Sequence, residues 1–300
     1  MVKLLKLPTT IIPSFMELYR AASYPRNALT YFSLKHFAIQ SEKYPEYREN
    51  LELLTLNENW KKDGLFLMKN GHTYYFDSLE CQPYNRVKEL LMSIDYSKET
   101  VFRAVRDQFK PVMNDVLWLN NMEITDQTGT TMYFLDREFL LKLPPQPIPE
   151  GWYFRSLTLN DVDEINQKVQ REGGDNLRYI EQSIKYKLSL GLFDENDVMQ
   201  SWVYGVDVGT LGTLGVTDEH KAKGAGSATS TTFAKILLNQ DTDFDIVWNC
   251  EHGNTAAHAL AHRYKATNIG TVTWMAVNKR ISTKMSQMGM YQIFYPKPKM

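Results

Sequence analysis

Apolar and polar positions divide the first half of the chain into short segments of different period. Apolar residues at helical spacing predict a helix that opens near Pro13, and two apolar runs around Asn70-Gly71 predict a β-hairpin. The segment 97–117 begins with a capping pattern and carries apolar residues at helical spacing, which predicts a second helix. Residues 130–136 predict a strand that closes this half.

The second half has clearer boundaries between its segments. A strand over 152–157 precedes a helix over 161–170, for which Asn160 is the predicted N-cap, and a further helix ends at Gly191. Three strand-like runs follow over 190–216, with turns at 195–197 and near Gly209. The remaining elements are a helix after Gly226, a strand over 244–250, a helix from Asn254, and strands over 271–277 and 291–296. This order predicts an α/β (α+β) layer with mostly antiparallel hairpins and one crossover.

A proline-rich segment separates the two halves. Residues 142–151 read KLPPQPIPEG, and such a run is stiff, extended and unable to continue a helix or a sheet. The sequence therefore predicts an N-terminal domain over 1–141, a linker over 142–150 and a C-terminal domain over 151–300.

Composition and charge narrow the functional classes. At 300 residues and 43% hydrophobic content, the chain can bury one large core or two ordinary ones. A net charge of −1 argues against nucleic acid and anionic membranes as partners, and no apolar run approaches the roughly 20 residues of a membrane span. Two distant cysteines, Cys81 and Cys250, argue against a disulfide framework and favour a reducing, intracellular compartment.

The N-terminal stretch bears on the compartment. Its first 37 residues contain only one acidic residue, Glu17, as mitochondrial presequences often do. Pro8 and Pro13 interrupt any long amphipathic helix there, so we expect folded protein and a cytoplasmic location, with the mitochondrion as the alternative.

A glycine-containing loop is the strongest chemical signal. Gly224, Ala225 and Gly226 lie between an apolar strand and a helix, where bare backbone N–H groups can hold an anion. A nucleotide P-loop needs Lys-Ser/Thr after its last glycine, and a dinucleotide fingerprint needs a third glycine where Thr229 stands. Both alternatives are therefore disfavoured.

The loop matches a different pattern. Residues 221–226, Lys-Ala-Lys-Gly-Ala-Gly, have the shape Gln/Arg-x-x-Gly-x-Gly/Ala, with lysine in place of the first residue. Together with residues 173–184, 201–226 and 251–260, this segment resembles the glycine N-acyltransferase-like branch of the GNAT acyltransferase superfamily. The resemblance implies a GNAT-type fold, a mixed twisted sheet flanked by helices, with a diverged GNAT-like N-terminal half that has no glycine loop of its own.

The resemblance also implies a site for acyl-coenzyme A as co-substrate, with no metal. Main-chain groups around Leu214, Gly215 and Val216 would pair with the pantetheine arm, and one N–H there would stabilise the oxyanion. The amides that would hold the pyrophosphate belong to Lys221, Ala222, Lys223, Gly224, Ala225, Gly226 and Ser227. Asn254 either contacts the coenzyme, caps the following helix, or does both.

Glu219 aligns with the glutamate that acts as general base in this branch, where it would deprotonate the incoming amine. The alternative is a solvated loop glutamate, with His220 as a spare base. The implied activity is acyl transfer from acyl-coenzyme A to glycine or a similar small amine. The alternative is a catalytically degenerate GNAT-fold binding or scaffolding protein, because Ala261 replaces a helix tyrosine and Tyr264-Lys265-Ala266 replaces Leu-Gly-Phe.

Two further sets of residues have ordinary explanations. His258 and His262 are spaced as on a zinc-binding helix face, but the sequence lacks a convincing fourth ligand, so no metal site is predicted. Cys250 ends a predicted strand, where a buried, unreactive cysteine is expected ahead of an acylated nucleophile.

Overall fold

The computed structural model describes residues 3–169, 176–206, 208 and 211–280. The elements of the first half are β1 (Leu5–Leu7), α1 (Ile12–Ser23), α2 (Ala28–Lys43), α3 (Pro45–Asn50), β2 (Leu51–Thr55), α4 (Trp60–Asp63), β3 (Phe66–Asn70), β4 (Thr73–Asp77), α5 (Asn85–Met92), β5 (Thr100–Arg106), α6 (Lys110–Leu119), β6 (Met122–Leu135) and α7 (Arg137–Lys142). Residues 143–150, which include the four prolines, form neither helix nor strand.

The second half repeats this order of elements. It comprises β7 (Tyr153–Arg155), α8 (Val162–Lys168), α9 (Asn176–Tyr186), β8 (Ser189–Phe193), β9 (Met199–Tyr204), β10 (Thr213–Val216), α10 (Ala225–Gln240), β11 (Ile246–Glu251), α11 (Thr255–Arg263) and β12 (Thr267–Lys279). Apart from the short helices α3, α4 and α7, both halves read strand, two helices, three strands, helix, strand, helix, strand. The predicted mixed α/β fold, with a twisted sheet flanked by helices, is confirmed.

The two halves share their central strands. One sheet has the order β1-β2-β3-β4-β5-β12-β6-β11, and a second has the order β10-β9-β8-β7. The last strand of each half therefore pairs inside the other half: β12 inserts between β5 and β6, and β6 lies between β12 and β11. The domain division at the prolines stays a prediction, and this exchange of strands ties the two predicted domains together.

Helices cover both faces of the sheets. Phe233 of α10 and Ala261 of α11 pack in one cluster with Trp248 and Cys250 of β11. On the opposite face, Ile165 of α8 and Ile180 and Ile184 of α9 pack against β8 and β9. In the part of the chain that the structure describes, no helix has the length and apolar character needed to cross a lipid bilayer.

Three predicted boundaries were wrong. The start of the predicted helix 97–117 is strand β5, because its apolar residues pair with the distant strand β12. The N-cap of α8 is Asp161 rather than Asn160, and Thr158 and Asp161 form a capping box around the turn that leads into the helix. The helix predicted to reach Gly191 ends at Tyr186, because the following residues join β8. The predicted turn at Gly209 and the strand over 291–296 lie outside the described residues.

Candidate functional site

A gap between two parallel strands forms the centre of the candidate site. The β10 and β11 segments meet at a single bridge between Leu211 and Trp248, where the Leu211 amide donates to the Val247 carbonyl over 3.2 Å. Beyond this bridge the strands belong to different sheets, and no described strand lies between them. Among the described residues the two strands make no other pairing, so a cleft separates them beyond the bridge.

The wall of the cleft formed by β10 carries unpaired main-chain groups. Thr217 donates its amide to the Gln200 carbonyl of β9 over 3.0 Å, and hydrogen bonding alternates along an antiparallel strand. The main-chain groups of Leu214 and Val216 therefore point away from β9 and into the cleft, where the pantetheine arm is predicted. Gly215, between them, is directed toward β9.

Gly215 contributes space rather than a main-chain contact. A β-carbon there would lie 2.0 Å from Cζ2 of Trp202, because the indole ring covers the glycine. Any larger residue would displace the indole or distort the strand.

The loop after β10 turns several amides outward. The amides of Lys221 and Lys223 donate to the carbonyls of Thr217 and His220 over 3.1 and 3.2 Å. Ala222 and Gly224 have positive φ values of 61° and 94°. Of the predicted pyrophosphate-binding amides, those without an acceptor among the described residues belong to Ala222, Gly224, Ala225, Gly226 and Ser227. Four N–H groups at the start of α10, together with that of Ala222 in the preceding loop, form a potential anion site.

The two loop positions hold glycine for different structural reasons. Gly224 is the N-cap of α10 with left-handed backbone, and a β-carbon there would meet no atom within 4 Å. A β-carbon on Gly226 would lie 2.9 Å from Cγ2 of Val216, so this glycine lets α10 pack closely on β10. Both features place the helix start beside the open edge of the strand.

Positive charge borders these amides. Lys221 pairs with Asp218 over 2.5 Å at the exposed surface, and this hydrogen bond lowers the pKa of the Asp218 carboxyl. Lys223 is exposed and lines a cavity of about 220 Å³ together with His220 and Trp152. Among the described residues, Lys223 has no ion-pair partner, so its charge is available to an anion at the loop.

The predicted alternatives for Asn254 are partly decided. Its side chain accepts a hydrogen bond from the Ala257 amide over 3.0 Å, which confirms the N-cap of α11. A contact with the coenzyme stays a prediction.

The segment that departs from the superfamily pattern keeps a helix-ending turn. Lys265, where the pattern has glycine, has a left-handed φ of 53°, and the Ala266 amide donates to the Ala261 carbonyl over 3.0 Å. Ala261 is fully buried and offers no hydroxyl in place of the missing tyrosine.

Tyr264 connects α11 to the first turns of α10, a role that the sequence did not suggest. Its buried hydroxyl lies 2.6 Å from Oγ1 of Thr231 and 3.1 Å from Oγ of Ser230, and it donates to the Ser227 carbonyl over 3.2 Å. These contacts fix the orientation of the helix start that carries the free amides. The segment 227–232, in which every residue except Ala228 carries a hydroxyl, was the available signal.

The two proposed bases differ in their surroundings. Glu219 is exposed in a single helical turn after β10 and makes no hydrogen bond or ion pair with the described residues. The His220 ring lies 4.8 Å from that of Trp152, and its Nδ1 is 3.2 Å from Oγ1 of Thr217. His220 is therefore packed toward the proline-rich segment, while Glu219 remains accessible.

The histidine pair and the buried cysteine have structural partners. His258 places Nδ1 3.0 Å from the Tyr133 hydroxyl and donates through Nε2 to the Glu251 carbonyl over 3.1 Å, so both ring nitrogens are occupied. No cluster of metal-binding side chains occurs within the described ranges. Burial raises the pKa of the Cys250 thiol to about 12, which keeps it protonated at neutral pH.

The equivalent positions of the first half are closed by the protein's own side chains. The carboxylate of Glu80 accepts hydrogen bonds from the amides of Arg86 and Val87, both at 3.2 Å, at the start of α5. Arg106 donates to Asp77 over 2.7 Å where β4 and β5 diverge. Burial opposes the charge on Arg106, but the Asp77 carboxylate raises its pKa overall. In the first half, side chains thus occupy both the helix start and the gap between the diverging strands, which are open in the second half.

Several solved structures have an architecture similar to that of this chain. A Drosophila protein solved by structural genomics is similar with a TM-score of 0.82 at 15% identity, covering 91% of this chain and 97% of that one. A tandem GNAT protein from the clavulanic acid biosynthesis pathway is similar with a TM-score of 0.53 at 13% identity, and the match covers 92% of this chain and 98% of that one. A putative acetyltransferase from Pyrococcus horikoshii is similar with a TM-score of 0.52 at 14% identity, and the match covers 93% of this chain and 90% of that one.

These similarities show a GNAT acyl-CoA N-acyltransferase fold, here with two GNAT-like halves in tandem. No protein-family model matches the sequence, and no curated protein matches it.

Proposed function

We propose that this protein is an N-acyltransferase that moves an acyl group from acyl-coenzyme A to the amine of a small acceptor, such as glycine or a similar amine. The observation that carries the proposal is the contrast between the halves. The cleft and helix start of the second half keep free main-chain donors, whereas Glu80 and the Asp77–Arg106 pair occupy the same places in the first.

In this proposal the pyrophosphate binds the free amides of Ala222 and of residues 224–227, supported by the charge of Lys223 and the dipole of α10. The pantetheine arm lies along the open edge of β10 and pairs with Leu214 and Val216. The thioester then reaches the narrow part of the cleft, where a main-chain N–H stabilises the oxyanion.

The chemical step needs a deprotonated amine. Glu219 is the proposed general base, because it is accessible and follows directly after the strand that lines the cleft. The attacking amine forms the new C–N bond, the C–S bond breaks, and the coenzyme leaves as a thiolate that must be protonated. Ala261 cannot supply that proton.

The lack of a proton donor at Ala261 supports a second candidate, a GNAT-fold protein that binds acyl-coenzyme A without turnover. Such a protein would bind the coenzyme at the same loop and release no free thiol with any amine. Turnover with acetyl-, benzoyl- and longer acyl-coenzyme A against a panel of amines therefore separates the two candidates.

Calorimetric titration with acetyl-coenzyme A tests the site itself. In Lys223→Glu, a carboxylate next to the free amides competes with the pyrophosphate, and we expect Kd to rise about 10- to 100-fold, as for the loss of a hydrogen bond to a charged group. Lys62→Glu makes the same charge change at an exposed position in the first half and should leave Kd unchanged. Equal affinities for both variants would contradict the proposed site.

A further inference from the structure

Two buried polar groups beside the cleft lack hydrogen-bond partners. The side-chain amide of Asn249 on β11 has no partner for its nitrogen or its oxygen among the described residues, and the indole Nε1 of Trp202 on β9 has none either. Folded proteins pair almost all buried polar atoms, so each exception needs a physical explanation.

Both side chains lie on the same face of the protein. Trp248 and Cys250 pack in the cluster that contains α10, so Asn249, between them on the strand, points to the opposite face. Val203 packs in the same cluster, so its neighbour Trp202 also points away from α10 and packs with α8 and α9.

The two groups also lie on opposite walls of the cleft. Asn249 comes one residue after Trp248, where β10 and β11 part. The ring of Trp202 covers Gly215 on the other wall: a β-carbon on Gly215 would lie 2.1 Å from Cε2, the atom bonded to Nε1. A third unpartnered group, the hydroxyl of Thr130 on the neighbouring strand β6, is 4% exposed and lies opposite Glu251, two residues along β11 from Asn249.

We propose that Asn249 and Trp202 bind the acyl acceptor on the face of the sheet opposite α10. This inference rests on the proposed function, in which the coenzyme enters from the α10 side and presents its acyl group through the cleft. An indole N–H can only donate, whereas an amide side chain both donates and accepts. The acceptor that satisfies both groups carries an amine and, close to it, a hydrogen-bond-accepting oxygen.

Two apolar variants test the assignment. Asn249→Leu and Trp202→Phe remove the unpartnered groups and keep most of the packing volume. We expect the KM for an oxygen-bearing amine, glycinamide, to rise about tenfold or more, as for the loss of one hydrogen bond in a binding site. In Trp202→Phe, the KM for ethylamine, which lacks the oxygen, should change less than about twofold, and the Kd for acetyl-coenzyme A should change as little in both variants.

A stability measurement separates binding from structural roles. Because the Asn249 side chain has no hydrogen-bond partner among the described residues, the urea midpoint of Asn249→Leu should equal or exceed that of the unmodified chain. Thr229→Val and Trp60→Phe are matched controls, since they remove unpartnered buried groups away from this face and should leave every KM unchanged.

The inference is overturned if Asn249→Leu lowers the urea midpoint, or if amines are acylated but neither variant changes the KM for glycinamide. Both outcomes leave the proposed function intact. Failure to acylate any amine in the panel, or to bind acetyl-coenzyme A, would instead refute the proposed function.

Discussion

Glu219 has the position and the exposure of a base that meets a substrate from solution. It lies in the turn between the open edge of β10 and the free amides of α10. Its neighbours Asp218 and His220 are each held by another side chain, Lys221 and Thr217 respectively. Of these three consecutive residues, Glu219 is the one whose side chain makes no hydrogen bond or ion pair with the described residues, so none has to be broken before it acts as the proposed base.

Replacing Glu219 by glutamine should lower kcat by about 10²- to 10⁴-fold, because the amine arrives mostly as an ammonium at neutral pH. The loss should shrink at high pH, where free amine is abundant, and the Kd for acetyl-coenzyme A should stay the same. Steady-state kinetics across pH with a thiol-release readout, combined with calorimetry, measure both quantities.

Glu123→Gln is a matched control, since this glutamate is exposed on β6 in the first half. Full activity of Glu219→Gln at neutral pH would move the base elsewhere, with Glu251 as the next residue to test.

Residue patterns indicated the proposed coenzyme loop but not the proposed acceptor-binding side chains. Gly224 and Gly226 belong to a short, recognisable pattern, and their conformation and packing follow from the absence of a β-carbon. Asn249 was visible only as one polar residue in an apolar strand. Its missing partners depend on what surrounds it in three dimensions, which no local pattern records.

Helices α5 and α10 show at the level of elements how one architecture becomes open or closed. Both follow the fourth strand of their half, and the strands before and after each helix are parallel and diverge. The amides at the start of α5 are bound by Glu80, while those at the start of α10 are free. A single carboxylate therefore does for α5 what a bound anion is proposed to do for α10.

Glu80→Ala should lower the free energy of unfolding by about 1–2 kcal/mol, the usual loss when a helix start gives up its side-chain acceptor. Urea denaturation followed by circular dichroism measures this change. Glu99→Ala, at an exposed position in the same half, should be close to neutral. Coenzyme affinity should be unchanged in both, and a weaker affinity in Glu80→Ala would show that the halves are coupled.

Element types were predictable where the local pattern and the tertiary partners agree. Helix α1 and the hairpin of β3 and β4 formed as the periodicity and Asn70-Gly71 indicated. Strand β5 was mistaken for the start of a helix because Ser97 and the following residues mimic a capping pattern. Its strand conformation is stabilised by β12, a partner about 170 residues away that local reasoning cannot supply.

At the scale of the whole molecule, the exchange of β6 and β12 makes each half depend on the other. Without β6, strand β11 would lose its neighbour and expose a row of unpaired main-chain groups. Residues 151–300 expressed alone should therefore aggregate, although they contain the whole proposed coenzyme site. Co-expression with residues 1–150 should recover soluble protein that binds acetyl-coenzyme A.

Sedimentation and size-exclusion chromatography, with calorimetry on the soluble fraction, check this expectation. A soluble, monomeric fragment 151–300 that binds the coenzyme as tightly as the full chain would show that the shared strands are dispensable.

The shared strands also set an order of events during synthesis. A ribosome releases β1 to β5 long before residues 267–279 emerge. The edge of β5 that pairs with β12 therefore remains unpaired while the second half of the polypeptide is synthesised. Chaperone binding should be strongest in this interval, and a pause in translation between the two halves would prolong it. Synonymous codon changes after the proline-rich segment could thus alter the yield of folded protein while every amino acid stays the same.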